Sequence, residues 1–449
     1  MNIQIGEQLA EFTTKTKLED VPKETIGFAK ELLLKTVAGM LAGSRYPTGK
    51  KMVKFIKERN QAPEVGVIGC GFKTSPWEAV LAHTIFAHAS ELEDDRFTPA
   101  GGGSWDITVL PVTLALAEKT ELSGKDFLEA TIVGLEVHTR TCSFPTGHIG
   151  FQIVPGAVGP AAGAARALGL GTKETTSALG LAMSTAPISS LNFGTDAHYF
   201  ESAIHSLHGL MAAEAAKVGM SGNPEIGRYL RYMLGKDKVV PEVIVDNLGS
   251  KWCFPEIWIK KYPCCFGSHR QIDAVLDLIR EHNLSYEQIG EIEVHISRGD
   301  RVLDRPEPKT LGDLQFSFQH LLAAAMLDKD VNLNHFNDER INDAKLKEAR
   351  AKVKVIVHDD WSPALLVAPA LIVAKLKDGK QLTKERKYAV GSPQEPLTQE
   401  QVERLYNKLT QGILDEEHIE QTSSQILNIE ELDDLMPLFN TLTFGPFLT

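Results

Sequence analysis

The sequence predicts a mainly α-helical fold, in which a large all-helical domain carries an inserted, smaller α+β domain. The chain has 449 residues, more than one hydrophobic core usually covers. Apolar residues recur at helical spacing through the first half, whereas β-branched and polar residues alternate after about residue 260, and helical spacing returns near the C-terminus. We therefore expect residues 1–260 and 396–449 to form the helical domain. We expect residues 261–395 to form the α+β domain, and we expect the strands to be confined to it.

Four segments of the first half carry helix signals. In "PKETIGFAKELLLKTVAGMLAG", Pro22 suits the first turn of a helix and Gly43 can end it, so we expect one long buried helix. The segment "SGKDFLEATIVGLEVHTR" begins with a capping box of Ser123 and Asp126. The segments "PGAVGPAAGAARALGLG" and "SAIHSLHGLMAAEAAKVG" are rich in glycine and alanine, which let helices approach closely. Together they predict a tightly packed helical region.

The pattern changes in the second half. The segments "IGEIEVHIS", "AKVKVIVHD" and "ALLVAPALIVAKLKDGKQLTKE" alternate as strands do, and Asp378-Gly379 is a strong hairpin turn. Between them, "FSFQHLLAAAMLD" and "NDERINDAKLKEARA" have helical patterns, which indicates an α+β domain. The later segment "TQEQVERLYNKLTQGIL" is again helical, and we expect it to pack back on the helical domain.

Composition excludes several classes of protein. The 47 basic and 59 acidic residues give a net charge of −12, and no cluster of Lys and Arg is long enough to follow a phosphate backbone, so no nucleic-acid partner is expected. The five cysteines form no C-x-x-C pair, which favours a reduced, cytoplasmic setting. No secretory signal and no apolar stretch of about 18 residues is present, so we expect a soluble protein without a membrane partner.

One stretch, "HASELEDDRFTPAGGGSWDITVLP", combines a run of carboxylates with a run of glycines. The carboxylates belong to Glu91, Glu93, Asp94 and Asp95, and Gly101–Gly103 follow them. One interpretation is a site lined by the acids, with the glycines as a flexible lid. The other is a solvated helix end, because charge runs usually are solvated. We expect the nearby His83 and His88, which lie among apolar residues, to be core histidines.

Several segments resemble those of a known family. In order along the chain, the resemblance is carried by "AHASELEDD", "VLPVTLALAEKTELSGKDFLEATIVGLEV", "ARALGLG", "NFGTDAH", "KKYPCCFGSHRQIDAVLDL", "RPEPKT", "QFSFQHLLAAAMLD", "FNDERI" and "GSPQEPLT". They resemble the MmgE/PrpD family, which includes 2-methylcitrate dehydratase, cis-aconitate decarboxylase and iminodisuccinate epimerase. The resemblance implies a helical domain, a smaller α+β domain, a cofactor-free site between them and a homodimer.

Three family site positions keep their chemical character. The family's A-H-x-x-D-F-D-D run places an active-site carboxylate at the position of Glu91, one methylene longer here. Lys261 in "KKYPCC" and His269 are also retained.

A metal site from His88, Glu91 and Asp95 has passable helical spacing. The family is not metal-dependent, however, so we expect no metal.

Other family site positions differ. Ser104 and Trp105 stand near the position of a proton-transferring His, and Gln152 replaces a second site His. His198 stands where the family has an active-site Lys, and His320 replaces a common Tyr. These differences leave the resemblance in fold intact but predict a changed substrate or reaction, since function depends on the site rather than on the fold.

The shared chemistry of the family is proton abstraction next to a carbonyl or carboxylate. Clustered carboxylates raise one another's pKa by like-charge repulsion, and an ordinary histidine titrates near neutrality. We therefore expect Glu91, His198 and Asp95 to handle protons, with Glu91 and Asp95 on one helical face if the run is helical. The residues expected to contact the substrate are Lys261, His269, Arg270, Trp105, Ser104, Gln152 and His320.

The resulting functional prediction is a cofactor-independent lyase or isomerase acting on a small organic acid. An epimerase like the iminodisuccinate enzyme, or a catalytically inactive binding member of the family, are the alternatives. Each missing cation removes a charge-assisted hydrogen bond of about 1.5–3 kcal/mol. The sequence therefore predicts poor or no activity on 2-methylcitrate and cis-aconitate.

Overall fold

The structure is a computed structural model that describes residues 4–98, 101–104, 106–142, 156–184, 195–235, 240–364 and 366–447. Helices predominate in these ranges, which confirms the mainly α prediction. The chain divides into two compact units. The first unit is made of Met1–Asn192, Asp196–Ile259 and Thr398–Thr449, and the second of Phe193–Thr195 and Lys260–Leu397.

The first unit contains most of the helices. They are α1 (Ile5–Lys15), α2 (Lys23–Ser44), α3 (Pro47–Arg59), α4 (Pro76–Ala89), α5 (Asp106–Lys119), α6 (Gly124–Thr141), α7 (Val158–Ala167), α8 (Thr172–Ala182), α9 (Asp196–Lys217) and α10 (Ile226–Leu234). Four short strands lie among them, namely β1 (Val65–Gly66), β2 (Lys73–Thr74), β3 (Asp95–Thr98) and β4 (Gly101–Ser104).

The second unit combines a sheet with helices. Its elements are α11 (His269–Glu281), β5 (Ile289–Ser297), α12 (Leu311–Gln315), α13 (Phe318–Asp328), α14 (Asp338–Asn342), α15 (Ala344–Ala351), β6 (Val353–His358), β7 (Ala370–Leu376) and β8 (Gln381–Arg386). The chain then returns to the first unit with α16 (Gln399–Thr410), α17 (Glu416–Leu427) and α18 (Met436–Phe444).

The core of the first unit forms where long apolar helices cross. The predicted helix α2 is present and packs against α4 and α16, and α4 packs in turn along α9. At the start of α6 the Ser123 side chain accepts a hydrogen bond from the Asp126 amide, as the capping signal predicts. Close contact of α6 with α7 depends on glycine, because a Cβ at Gly159 would lie 2.2 Å from the Cβ of His138. Among the helices described, none combines the length and hydropathy of a bilayer span.

The expectation that strands are confined to residues 261–395 is wrong. β1 pairs with β2, and β3 pairs antiparallel with β4, with Asp95 opposite Ser104 and Thr98 opposite Gly101. The glycine run is therefore a strand of a hairpin, whereas the sequence suggested a flexible lid. Glycines give no alternating side-chain pattern, so backbone pairing of this kind leaves no strand signal in the sequence.

In the second unit the strand order is β6-β5-β7-β8. β5 and β6 are parallel, and the other two pairs are antiparallel. The predicted turn at Asp378-Gly379 joins β7 to β8, with Gly379 at φ +90°. One predicted helix is divided in two, because Asp343 ends α14 and caps α15 by accepting a hydrogen bond from the Leu346 amide.

Candidate active site

Helix α4 ends immediately before the acidic segment, which we define as Glu91–Asp95. The Glu91 amide donates a hydrogen bond to the carbonyl of His88 at 2.8 Å, and Glu91 has a left-handed φ of +53°. A residue in this conformation terminates a helix, and Asp95 already belongs to β3. The expectation that Glu91 and Asp95 share a helical face is therefore wrong.

Three side chains meet where α4 packs along α9. Potential ligand atoms of His88, Glu91 and His198 all lie within 4.8 Å of one another, and all three residues are buried. The rings of His88 and His198 meet edge to face, with centroids 4.3 Å apart. We call these three residues the His–Glu cluster. The structure thus brings together two of the three residues that the sequence proposes for proton transfer.

His88 is a functional candidate that the sequence interpretation assigned to the core. A hydrogen bond of 3.0 Å joins its Nδ1 to the Oγ of Ser202, which follows His198 by one turn of α9. This contact leaves Nε2 directed to the acidic side, where it lies 3.9 Å from the Oε1 of Glu93. His88 precedes Glu91 by only three positions, and this closeness in sequence is the signal that could have identified it. His83 is a core histidine as expected, because its Nε2 accepts a hydrogen bond from the Ile68 amide.

Two tyrosines near the His–Glu cluster were missed by the sequence interpretation. The Tyr199 ring lies 5.1 Å from that of His88 and 5.8 Å from that of His198. Burial, and then the charge of Glu91, raise the pKa of Tyr199 and of Tyr46 well above the ordinary value. Both phenols therefore keep their protons at neutral pH. Among the described residues, the buried Tyr46 hydroxyl has no hydrogen-bond partner.

The acidic segment is not a solvated helix end. Its four carboxylate residues are all buried, at 4% relative exposure or less. Asp94 forms an ion pair with Lys35 of α2. The carbonyl of Asp95 accepts a hydrogen bond from the Trp258 amide at 2.7 Å, so its backbone holds the start of the hairpin. Burial of several carboxylates is costly unless they are paired or hydrogen-bonded, which marks the segment as a functional candidate.

In the second unit Lys261 lies at a cleft of about 510 Å³. Its Nζ is 3.3 Å from the Oδ1 of Asp273, which also accepts a hydrogen bond of 2.7 Å from the Tyr262 hydroxyl. The Lys261 side chain is about one-third exposed. It is thus partly open to a small acid, and its role as a carboxylate-binding cation stays a prediction.

The other substrate-binding candidates of this unit do not line that cleft. His269 is buried and stacks on Phe266 with ring centroids 4.5 Å apart. Arg270 is buried and donates to the carbonyl of Ala368 at 2.9 Å, and burial lowers its pKa. His320 is fully buried, and burial lowers its pKa to about 3, so it is neutral at physiological pH.

The side chains of three substrate-binding candidates lie outside the part of the chain that the structure describes. Trp105 and Gln152 lie outside the described residues. Ser104 is described as the last residue of β4, paired with Asp95, but its side chain is outside the description.

The His–Glu cluster also has a metal-ligand character. Two imidazoles and one carboxylate are a donor set that suits Zn²⁺, and their atoms approach within 4.8 Å. Ligand atoms around a tetrahedral zinc ion lie about 3.3 Å apart, a separation that falls within this limit. The sequence expectation of a site without a metal stays a prediction.

Comparison with known proteins gives matches along most of the chain. Residues 7–228 match the model of the MmgE/PrpD N-terminal domain, and residues 262–430 match that of the C-terminal domain. The cis-aconitate decarboxylase of Homo sapiens is 28% identical over 394 residues, which cover 83% of this chain and 80% of the relative. The cis-aconitate decarboxylase of Aspergillus terreus is 25% identical over 474 residues, 98% of this chain and 96% of the relative. The cis-aconitate decarboxylase-like protein oryM of Aspergillus oryzae is 25% identical over 469 residues, which cover 96% of this chain and 95% of the relative.

Proposed function

This chain belongs to the MmgE/PrpD family and is an enzyme of the lyase type, and from that premise we propose a proton-transfer reaction on a small organic acid. In this proposal the enzyme removes or adds a proton at a carbon next to a carboxylate, without a cofactor. The His–Glu cluster carries the proposal. Three groups that can exchange protons lie within 4.8 Å of one another and are buried, an arrangement that is typical of acid–base sites.

The first step of an elimination moves one proton. A member of the His–Glu cluster accepts it, and the electron pair left on the carbon is delocalised into the adjacent carboxylate. That pair then forms the double bond and expels a hydroxyl group from the neighbouring carbon. The hydroxyl group takes up a proton and leaves as water. In a decarboxylation CO₂ leaves first, its bonding pair stays on the substrate, and the cluster donates a proton to carbon.

The two tyrosines are suited to stabilise the negative charge that develops. Because Tyr46 and Tyr199 stay protonated at neutral pH, each can donate a hydrogen bond to a substrate oxygen. The buried Tyr46 hydroxyl, which has no partner among the described residues, supports this role most directly.

An epimerase is the second candidate, and one observation favours it. The His–Glu cluster supplies more than one proton-handling group, with His88 on α4 and His198 on α9. Epimerisation needs two proton-handling groups on opposite faces of one carbon and no leaving group. Elimination and epimerisation share the first proton abstraction and differ only in the second step.

Proton exchange in D₂O tests the proposal. The full-length protein is incubated with small di- and tricarboxylic acids, including cis-aconitate and 2-methylcitrate, and followed by nuclear magnetic resonance and mass spectrometry. A new unsaturated acid or released CO₂ indicates a lyase, whereas deuterium at one carbon of an otherwise intact acid indicates an epimerase. Binding of an acid without exchange or turnover of any acid would contradict the proposal and favour an inactive binding protein.

A further inference from the structure

A lysine is completely buried beside the acidic segment. Lys35 lies in the middle of α2 with 0% relative exposure and is among the largest fully buried side chains described. Its Nζ pairs with the carboxylate of Asp94, which is also fully buried. Burial of an ammonium group is costly unless it is paired, so this contact fixes both side chains.

The next residue of α2, Thr36, is connected to Asp94 by a second set of hydrogen bonds, which runs through Asp106. The Thr36 hydroxyl donates to the Oδ2 of Asp106, the first residue of α5, at 2.7 Å. The Oδ1 of Asp106 accepts a hydrogen bond of 2.8 Å from the backbone amide of Asp94. Helix α2 therefore holds Asp94 by its side chain directly and by its backbone through Asp106.

This anchor lies three residues after Glu91. The left-handed backbone of Glu91 is unfavourable for a residue with a side chain, and such conformations persist when the surrounding structure imposes them. The end of α4 fixes the chain before Glu91, and the contact of Asp94 with Lys35 fixes it afterwards.

We propose that Lys35 is a positioning residue that acts through Asp94 to hold Glu91 within the His–Glu cluster. This inference rests on the proposed function. A buried ion pair often stabilises a protein no more than apolar side chains of similar volume would. Stability alone therefore does not account for the pair, whereas a fixed position for the acidic segment does. Lys35 is fully buried, so the proposal gives it no contact with the substrate.

The test is the double variant Lys35→Met/Asp94→Asn in the full-length protein. Removing Lys35 alone would take the ammonium group away from a buried carboxylate and endanger folding, whereas the double variant removes both charges and keeps the side-chain volumes. The matched control is Lys30→Met/Glu430→Gln, which removes an ion pair of 2.7 Å formed by another lysine of α2. Kinetics use the acid that the wild-type protein exchanges fastest in D₂O.

We expect kcat of the double variant to fall by about 10²-fold, as a misplaced group causes, with KM nearly unchanged. Amide hydrogen exchange measured by mass spectrometry should become faster in the peptide that covers the acidic segment. The control should change neither quantity. A kcat within about threefold of wild type would overturn the positioning role.

Amide exchange separates this inference from the proposed function. If the wild-type protein exchanges none of the acids, the proposed function fails, while faster amide exchange in the double variant still supports the anchor. Unchanged amide exchange in the acidic segment would overturn the inference whatever the activity.

Discussion

Replacing Glu91 with glutamine should abolish most activity while leaving the fold intact. The change removes one negative charge from the His–Glu cluster and keeps the side-chain volume. A carboxylate and an imidazolium at the observed limit of 4.8 Å attract each other by about 3.5 kcal/mol at an effective dielectric constant of about 20. If a histidine carries the proton in the transition state, loss of this attraction slows the reaction by about 300-fold. If Glu91 is itself the base, the loss is about 10²–10⁴-fold.

The assay is the rate of deuterium incorporation from D₂O into the acid that the wild-type protein exchanges fastest. Glu121→Gln is the matched control, because Glu121 also has a left-handed backbone, with φ +49°, but is exposed. The control should keep the wild-type rate, and urea unfolding of both variants should stay close to that of the wild type. A Glu91→Gln rate within about threefold of wild type would show that this carboxylate does not take part in proton transfer.

Other perturbations probe the histidines, the substrate and the metal-binding capacity. His198→Asn should lower kcat by a similar factor. Adding Glu91→Gln to this variant should lower kcat only slightly further, because the effects of mutations in groups that act as a unit are not additive. A double variant whose loss in kcat equals the product of the two single losses would show independent roles. Burial lowers the pKa of His83 to about 4 and the pKa values of His138 and His320 to about 3, from an ordinary 6.5. At pH 5 these histidines bind a proton in the unfolded state but remain neutral in the fold. The free energy of unfolding should therefore be lower at pH 5 than above pH 6.5, by about 2 kcal/mol per histidine. Equal urea midpoints at pH 5 and pH 7.5 would contradict this. Turnover of cis-aconitate or 2-methylcitrate, followed by nuclear magnetic resonance, should be slow or absent, and an ordinary enzymatic rate would refute our interpretation of the altered site residues. Dialysis against EDTA should leave activity unchanged, and a loss restored by Zn²⁺ would reveal a metal requirement.

Local pattern was sufficient for most of the long elements. The apolar run of α2 and the Ser123 cap of α6 correspond to observed helices, and the alternation of β5 and the Asp378-Gly379 turn correspond to observed strands and their hairpin. These features depend on residues close in sequence, whose periodicity and turn chemistry are local properties. The glycine strand β4 could not be predicted, because it is defined by backbone pairing with β3 and its glycines show no alternating side-chain pattern.

The sequence by itself determined the family and the helical character, and it predicted Glu91 and His198 as site residues. Only the tertiary structure decided how these residues meet. His88 and Ser202 form a hydrogen bond across 114 positions of sequence, because α4 packs along α9, and Lys35 pairs with Asp94 across 59 positions. Such contacts depend on long-range packing of helices, for which no local periodicity gives a signal. Packing therefore made a run of acids, which charge alone would leave in solvent, into a buried cluster.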